Sequence, residues 1–159
     1  MDLLNQSETK VKFQFVADAG ADVNSQDAEG VTALHIAALN EHVDCVKMLL
    51  EHEADVTARS TEGWTPLHTV AQSGHLDCIK LLLLHGADPN ERTLGEGWTP
   101  LDIAAETCHT QCVSLLLQRG AKASIFRIKY LNFEKPNYRY AYFRLSVAVG
   151  VTFLDLLSI

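Results

Sequence analysis

The sequence predicts an all-α solenoid of about three stacked repeats, and two sets of near-identical strings support this prediction. A seven-residue string recurs as "EGVTALH" (29–35), "EGWTPLH" (62–68) and "EGWTPLD" (96–102). Its threonines stand 33 and then 34 residues apart. Three longer strings that align without a gap follow: "HVDCVKMLLEHEADV", "HLDCIKLLLLHGADP" and "HTQCVSLLLQRGAKA". A fixed period of this size is typical of arrays in which each unit buries its apolar face against its neighbours.

The first helix of each unit is clearest in the second copy. Thr65 is placed to cap the helix, and Pro66 occupies the first helical position, where its missing N–H has no cost. Apolar residues then recur at helical spacing from Leu67 onward. We expect Gly74 to end this helix, because glycine adopts the left-handed conformation easily.

A second helix is predicted to follow in each unit. In the second copy it carries Leu76, Ile79 and Leu82 at helical spacing, and Gly86 closes it. The string "GADPN" is rich in turn residues and leads the chain into the next unit. Each unit is therefore predicted to be a helix pair plus a hairpin-like loop.

These strings resemble the ankyrin repeat, whose motif reads D-x-x-G-x-T-P-L-H-x-A-A, then G-H, then L-L, then G-A-D-x-N. Two repeats match almost throughout, and a third carries one inserted residue near Thr93. The resemblance covers an array at 13–124. The predicted organisation is an N-terminal extension (1–12), a half-repeat (13–26), three repeats (27–59, 60–93 and 94–124) and a non-repeat tail (125–159).

Three positions depart from the glycine pattern at the helix ends. Glu41 and Cys108 stand where Gly74 ends the first helix of repeat two, and Glu53 stands where Gly86 ends the second. A non-glycine residue in the left-handed conformation costs about 1 kcal/mol or more. We therefore expect repeats one and three to be less stable than repeat two.

Charge is unevenly distributed along the chain. Residues 1–124 hold 8 basic and 18 acidic residues, a balance of −10, whereas residues 125–159 hold 5 basic and 2 acidic, a balance of +3. Phosphate binding needs a basic surface, so the acidic array disfavours a nucleic acid as the partner. An acidic array suits a protein partner with a basic surface, although a charged solvated face is the commoner explanation.

The cysteines indicate core positions. Cys45, Cys78 and Cys112 share one register position, which predicts small apolar core residues. Cys108, His109 and Cys112 have no second pair at zinc-finger spacing, so no metal site is expected. The sequence begins without a secretory signal, which favours the reducing cytoplasm or the nucleus.

The histidines also recur with the repeat. His35 and His68 share one position, and the ankyrin resemblance implies that they tie the backbone across loops and neighbouring repeats. No nucleophile with a base, glycine-rich phosphate loop or converging carboxylate pair is evident. We therefore expect a non-enzymatic protein without a cofactor.

The ankyrin resemblance implies that the variable residues of the hairpin tips and first helices meet a protein partner on the concave side. Trp64 and Trp98 are expected to project from adjacent hairpins, either as partner anchors or as packing for their own hairpins. The predicted contact positions are Glu29, Val31, Ile36 and Leu39 in repeat one, Glu62, Trp64, Thr69 and Gln72 in repeat two, and Glu96, Trp98, Ile103 and Glu106 in repeat three. The leading hypothesis is a protein-interaction scaffold.

The string "KVKF" (10–13) supports a second hypothesis. It resembles the docking motif of protein phosphatase-1 regulatory subunits, and the myosin-phosphatase targeting subunits place such a motif just before ankyrin repeats. The resemblance implies that Lys10, Val11 and Phe13 dock the phosphatase-1 catalytic subunit. Alternatively, a shift by one repeat aligns Phe13 with Val46, which would make Phe13 a core residue of a truncated helix.

The tail (125–159) has no repeat period and holds eight of the twelve aromatic residues. It is interpreted as a C-terminal cap, a membrane anchor or foreign sequence appended to a truncated isoform with little function of its own. Its apolar run from Leu145 is 15 residues long and contains Asp155. That run is short of the ~20 residues needed to span a bilayer, so membrane association is not expected.

Overall fold

The computed structural model describes residue 20 and residues 22–122, which contain six α-helices and no strand. The helices are α1 (Ala33–Leu39), α2 (Val43–Glu51), α3 (Pro66–Ser73), α4 (Leu76–Leu84), α5 (Pro100–Glu106) and α6 (Thr110–Gln118). The predicted extension 1–12, residues 13–19 and 21 of the half-repeat 13–26 and the tail 125–159 lie outside the described residues. The predictions for Lys10, Val11 and Phe13 and for the tail are therefore untested by the structure.

The helices form two layers. The first helices α1, α3 and α5 pack in sequence order on one another, and the second helices α2, α4 and α6 form the other layer. Each first helix also packs on the second helix of its own repeat. We call these layers inner and outer. The arrangement confirms the predicted all-α solenoid of about three repeats.

Each inner helix begins at a capping threonine. Thr65 has an extended backbone (φ −96°, ψ 165°), and its side chain and that of His68 form a reciprocal capping box with the backbone of the first turn. Thr32 and Thr99 form the same box with His35 and Asp102. These side chains satisfy N–H groups that a helix start leaves without partners, which is why the threonines define the repeat boundaries.

The helix ends adopt the left-handed conformation whether or not they carry glycine. Gly74 has φ +81°, while Glu41 and Cys108 have φ +56° and +63° at the equivalent position. Glu53 has φ +62° where Gly86 has +89°. The predicted geometry is therefore confirmed, and the lower stability of repeats one and three stays a prediction.

One hydrophobic core runs through all three repeats. Its central residues in both layers are almost fully buried, including Leu67 and Ile79, both 0% exposed. Cys45, Cys78 and Cys112 are buried in this core, which confirms their predicted role. None of the helices at 22–122 is both long enough and apolar enough to cross a bilayer.

Candidate functional site

A hairpin-like turn precedes each inner helix, and neighbouring turns are joined to each other. The N–H of Thr61 donates to the carbonyl of Glu29, and the N–H of Leu94 donates to the carbonyl of Glu62, both at 2.9 Å. The turn tips therefore form a continuous row along one edge of the stack. Within each turn a backbone N–H donates to a carbonyl: Asp27 to Val31 at 3.0 Å, Ser60 to Trp64 at 2.9 Å and Thr93 to Trp98 at 2.9 Å.

Two buried histidines attach each inner helix to the next hairpin. Nδ1 of His35 lies 3.2 Å from the backbone nitrogen of Thr32, which can only donate, so Nε2 carries the proton. Nε2 then donates to the carbonyl of Trp64 at 3.0 Å. His68 repeats the arrangement, with Nε2 3.0 Å from the carbonyl oxygen of Trp98. The histidines thus tie adjacent repeats together, as the resemblance implies.

Burial keeps these imidazoles uncharged. It lowers the pKa of both His35 and His68, and their bonds to backbone carbonyls offset the effect only in part. Protonation would place a second donor at Nδ1 against the N–H of the capping threonine. Both rings are therefore neutral near pH 7.

A groove of about 200 Å³ opens between α1 and the hairpin of repeat two. Ile36 and Leu39 are 53% and 48% exposed beside it, although both side chains are large and apolar. We call this the apolar groove, and its lining residues are Val31, His35, Ile36, Leu39, Ser60, Trp64 and Thr69. Five of them are predicted contact positions, and the structure brings those five together.

The remaining predicted positions have different environments. Glu29, Glu62, Gln72, Glu96 and Glu106 are exposed at the tips and inner helices. Trp98 is half-buried, and its indole N–H donates to the carboxylate of Glu96.

The two tryptophans therefore differ. Trp98 is held within its own hairpin, whereas Trp64 lines the apolar groove. The ring of Trp64 lies 6.1 Å from the ring of His68, between centroids, at a tilt of 56°.

The prediction that Ile103 is available to a partner is wrong. Its side chain is only 5% exposed and belongs to the hydrophobic core, together with Leu101, Ala104 and Ala105 of the same helix. Ile36 and Thr69 share its register but line the groove. Burying a large apolar side chain stabilises the fold wherever neighbouring residues can cover it. The register of a residue does not show whether such neighbours exist.

The described residues offer no evident reactive centre. No three histidine, cysteine, aspartate or glutamate side chains of residues 22–122 converge where they could hold a metal ion. Burial, with smaller effects from Glu41 and Asp77, raises the pKa of Cys78 to about 11. Burial likewise raises the pKa of Cys112. These thiols stay protonated at neutral pH and are poor nucleophiles.

Two features of the hairpin row are not predicted by the sequence. The guanidinium of Arg59 pairs with the carboxylate of Glu91 and donates to the carbonyl of Arg92 at 2.9 Å, which joins repeats one and two. Leu94 is 63% exposed, and its backbone lies against Gly63. The one-residue insertion near Thr93 signalled that the third hairpin would differ, but no signal identified the ion pair.

Comparison with known families agrees with this geometry. A family model described as ankyrin repeats (three copies) matches residues 4–93 and 61–127, which together cover most of the chain. Among curated proteins, no sequence matches closely enough to serve as a relative.

Proposed function

Because the chain belongs to the ankyrin-repeat family, we propose that it is a non-enzymatic interaction scaffold whose apolar groove binds a protein partner. Ankyrin repeats are generally protein–protein interaction modules. The observation that carries the proposal is the half-exposed pair Ile36 and Leu39 beside Trp64 around an open groove.

The chemistry of the groove favours an apolar contact. Ile36 and Leu39 leave about half of their surfaces in water, and burying apolar surface contributes roughly 25 cal/mol per Å². Tryptophan is enriched among the residues that dominate binding energy, and Trp64 forms one wall. A partner that covers these three side chains would bury apolar surface that stays exposed in the folded chain, and this burial would favour binding.

The walls of the groove are held in place before any partner arrives. The imidazole of His35 fixes the carbonyl of Trp64, and the Thr61 N–H fixes the turn of Glu29. A rigid site loses less conformational entropy when it binds. The groove therefore suits direct docking without rearrangement of the inner helices.

The test uses two variants with the same chemical change. Leu39→Ala removes an exposed leucine of the groove, and Leu84→Ala removes an exposed leucine (74% exposed) of the outer helix α4. The unmodified chain and both variants are used for affinity capture from cell lysate, followed by mass spectrometry and by calorimetric titration of the captured partner.

We expect Leu39→Ala to weaken binding by about fivefold or more, in the range of truncated anchor residues. Leu84→Ala should bind as the unmodified chain does. Equal affinity of Leu39→Ala and the unmodified chain, with both folded by circular dichroism, would overturn the proposal.

A further inference from the structure

Acidic side chains follow the hairpin row at the edge of the apolar groove. Glu29 stands two residues before Val31, and Glu62 stands two residues before Trp64, and both Val31 and Trp64 line the groove. The backbone bond from Thr61 to Glu29 holds the two tips side by side. The two carboxylates, which we call the rim, therefore belong to neighbouring turns, each two residues along the chain from a residue that lines the groove.

These two carboxylates are not neutralised by the rest of the described chain. Residues 22–122 contain six Lys and Arg against 15 Asp and Glu, a formal balance of −9. Glu29 and Glu62 are exposed. Within that part of the chain Arg59 pairs with Glu91, Lys80 pairs with Asp77, and the His75 ring lies 3.4 Å from Glu41; none of these contacts includes Glu29 or Glu62.

Within residues 22–122, the two arginines of the hairpin row make contacts inside that row, and the lysines of the helices are distant from the groove. Arg59 pairs with Glu91 and donates to the carbonyl of Arg92, and Arg92 donates to the carbonyl of Gly97 at 3.1 Å. Lys47 and Lys80 lie on the outer helices α2 and α4, away from the inner layer. His35 lies in the groove wall, but burial lowers its pKa, so it adds no positive charge near pH 7.

From this combination we propose that the apolar groove takes a cationic amphipathic peptide segment of a partner protein. One large apolar side chain of the segment lies between Ile36, Leu39 and Trp64, and flanking Lys or Arg side chains face Glu29 and Glu62. The inference rests on the proposed function and adds the chemistry of the partner.

Charge complementarity selects this occupant over others. A carboxylate rim repels an acidic peptide and attracts a basic one, and the attraction mainly increases the association rate and the specificity. Nucleic acid and anionic lipid carry the same sign of charge as the rim and are disfavoured. Surface ion pairs contribute only a few tenths of a kcal/mol to about 1 kcal/mol each. The apolar groove therefore supplies most of the affinity.

The first experiment uses a random 12-residue peptide library displayed on phage and selected against the full chain. Selected phage are then screened for loss of binding to Leu39→Ala, which identifies peptides that use the groove. We expect these peptides to share Leu, Ile, Phe or Trp flanked by Lys or Arg.

The second experiment measures one selected peptide by fluorescence anisotropy at low and high salt. Glu29→Gln/Glu62→Gln should weaken binding about fivefold at low salt and reduce the salt dependence, since surface charges are screened by ions. The control Asp44→Asn/Glu51→Gln removes the same charge from the outer helix α2 and should change affinity less than about twofold.

The outcomes separate this inference from the function on which it rests. Groove-dependent peptides without basic residues, or equal affinity of Glu29→Gln/Glu62→Gln and its control, would overturn the cationic partner and leave the scaffold function intact. A library that gives no Leu39-dependent peptide would overturn both.

Discussion

The imidazole of His109 fills the space that a side chain at position 74 would need. A Cβ built on Gly74 would lie 2.4 Å from Nδ1 of His109, closer than any real contact of this kind. Nε2 of the same ring lies 3.0 Å from the carbonyl oxygen of Gln72, so the ring cannot move away without losing that bond. Repeat three therefore packs directly on a glycine backbone of repeat two.

Gly74→Ala should lower the free energy of unfolding by about 2 kcal/mol or more, because the left-handed backbone (φ +81°) and the His109 ring both oppose a Cβ. Gly86→Ala is the matched control, since Gly86 has φ +89° with no atom within 4 Å of the added Cβ. The control should lose only about 1 kcal/mol. Urea denaturation followed by circular dichroism measures both losses. Equal losses would show that the His109 ring can move away from an alanine at position 74.

Stability should fall in mildly acidic solution. Burial lowers the pKa of His35 and His68 below the ordinary value of 6.5. Below pH 6.5 these histidines therefore bind protons more readily in the unfolded chain than in the folded chain. Their contribution to the free energy of unfolding is complete above pH 6.5 and decreases as the pH falls towards the lowered pKa values. Urea midpoints measured from about pH 7.5 down to about pH 5.5 test this, because carboxylates titrate mainly at lower pH.

Two substitutions test whether the buried imidazoles cause that pH dependence. His68→Gln removes one of the two buried imidazoles and should flatten the pH profile, in addition to lowering stability at every pH. His85→Gln, which removes an exposed imidazole at the end of α4, is the matched control. A midpoint independent of pH in the unmodified chain would contradict the role assigned to the buried rings.

Glu53→Gly should stabilise the protein by about 0.5–1 kcal/mol. Glu53 is exposed and has φ +62°, a conformation that glycine adopts at lower cost. The same change two residues earlier, Glu51→Gly, falls within α2 and should destabilise by about 1 kcal/mol, because glycine is a poor helix former. Urea unfolding of both variants provides the measurement, and a destabilised Glu53→Gly would count against strain at this position.

Phe13→Ala should lower the free energy of unfolding by about 2 kcal/mol or more, in line with loss of a core aromatic. The reason is that Phe13 aligns by repeat with Val46, which is 0% exposed, and that the family match begins at residue 4. Denaturation of Phe13→Ala beside Val11→Ala tests this expectation.

The competing docking hypothesis for residues 10–13 is tested by calorimetric titration with phosphatase-1 catalytic subunit. Micromolar binding that Val11→Ala/Phe13→Ala abolishes, without a loss of stability, would establish docking through Lys10, Val11 and Phe13. No binding would leave Phe13 as a repeat residue.

Much of the fold could be predicted because each repeat carries its own local signals. The capping threonines, the proline at the first helical position and the left-handed helix ends all follow from backbone chemistry that acts within a few residues. Glu41 and Glu53 adopt positive φ without glycine because the repeat geometry around them imposes it.

The candidate site was less predictable because it depends on contacts between repeats. Register placed Ile36, Thr69 and Ile103 on one surface, yet Ile103 is buried. The pairing of Arg59 with Glu91 joins residues 32 positions apart and leaves no local pattern. The burial of a side chain and its pairing with a residue of another repeat depend on how the repeats pack together. The periodicity of the sequence does not encode either of them.

Repeat two contains both halves of several contacts that join the stack. It offers the carbonyl of Trp64 to the preceding histidine and the ring of His68 to the following hairpin. It also leaves room at Gly74 for the histidine of the next repeat, and its own His75 reaches back to the carbonyl of Leu39 at 3.0 Å. A tandem duplicate of residues 60–93 would therefore find complementary faces on either side. Each added copy would extend the hairpin row and the inner layer by one unit, joined by the same histidine and backbone contacts.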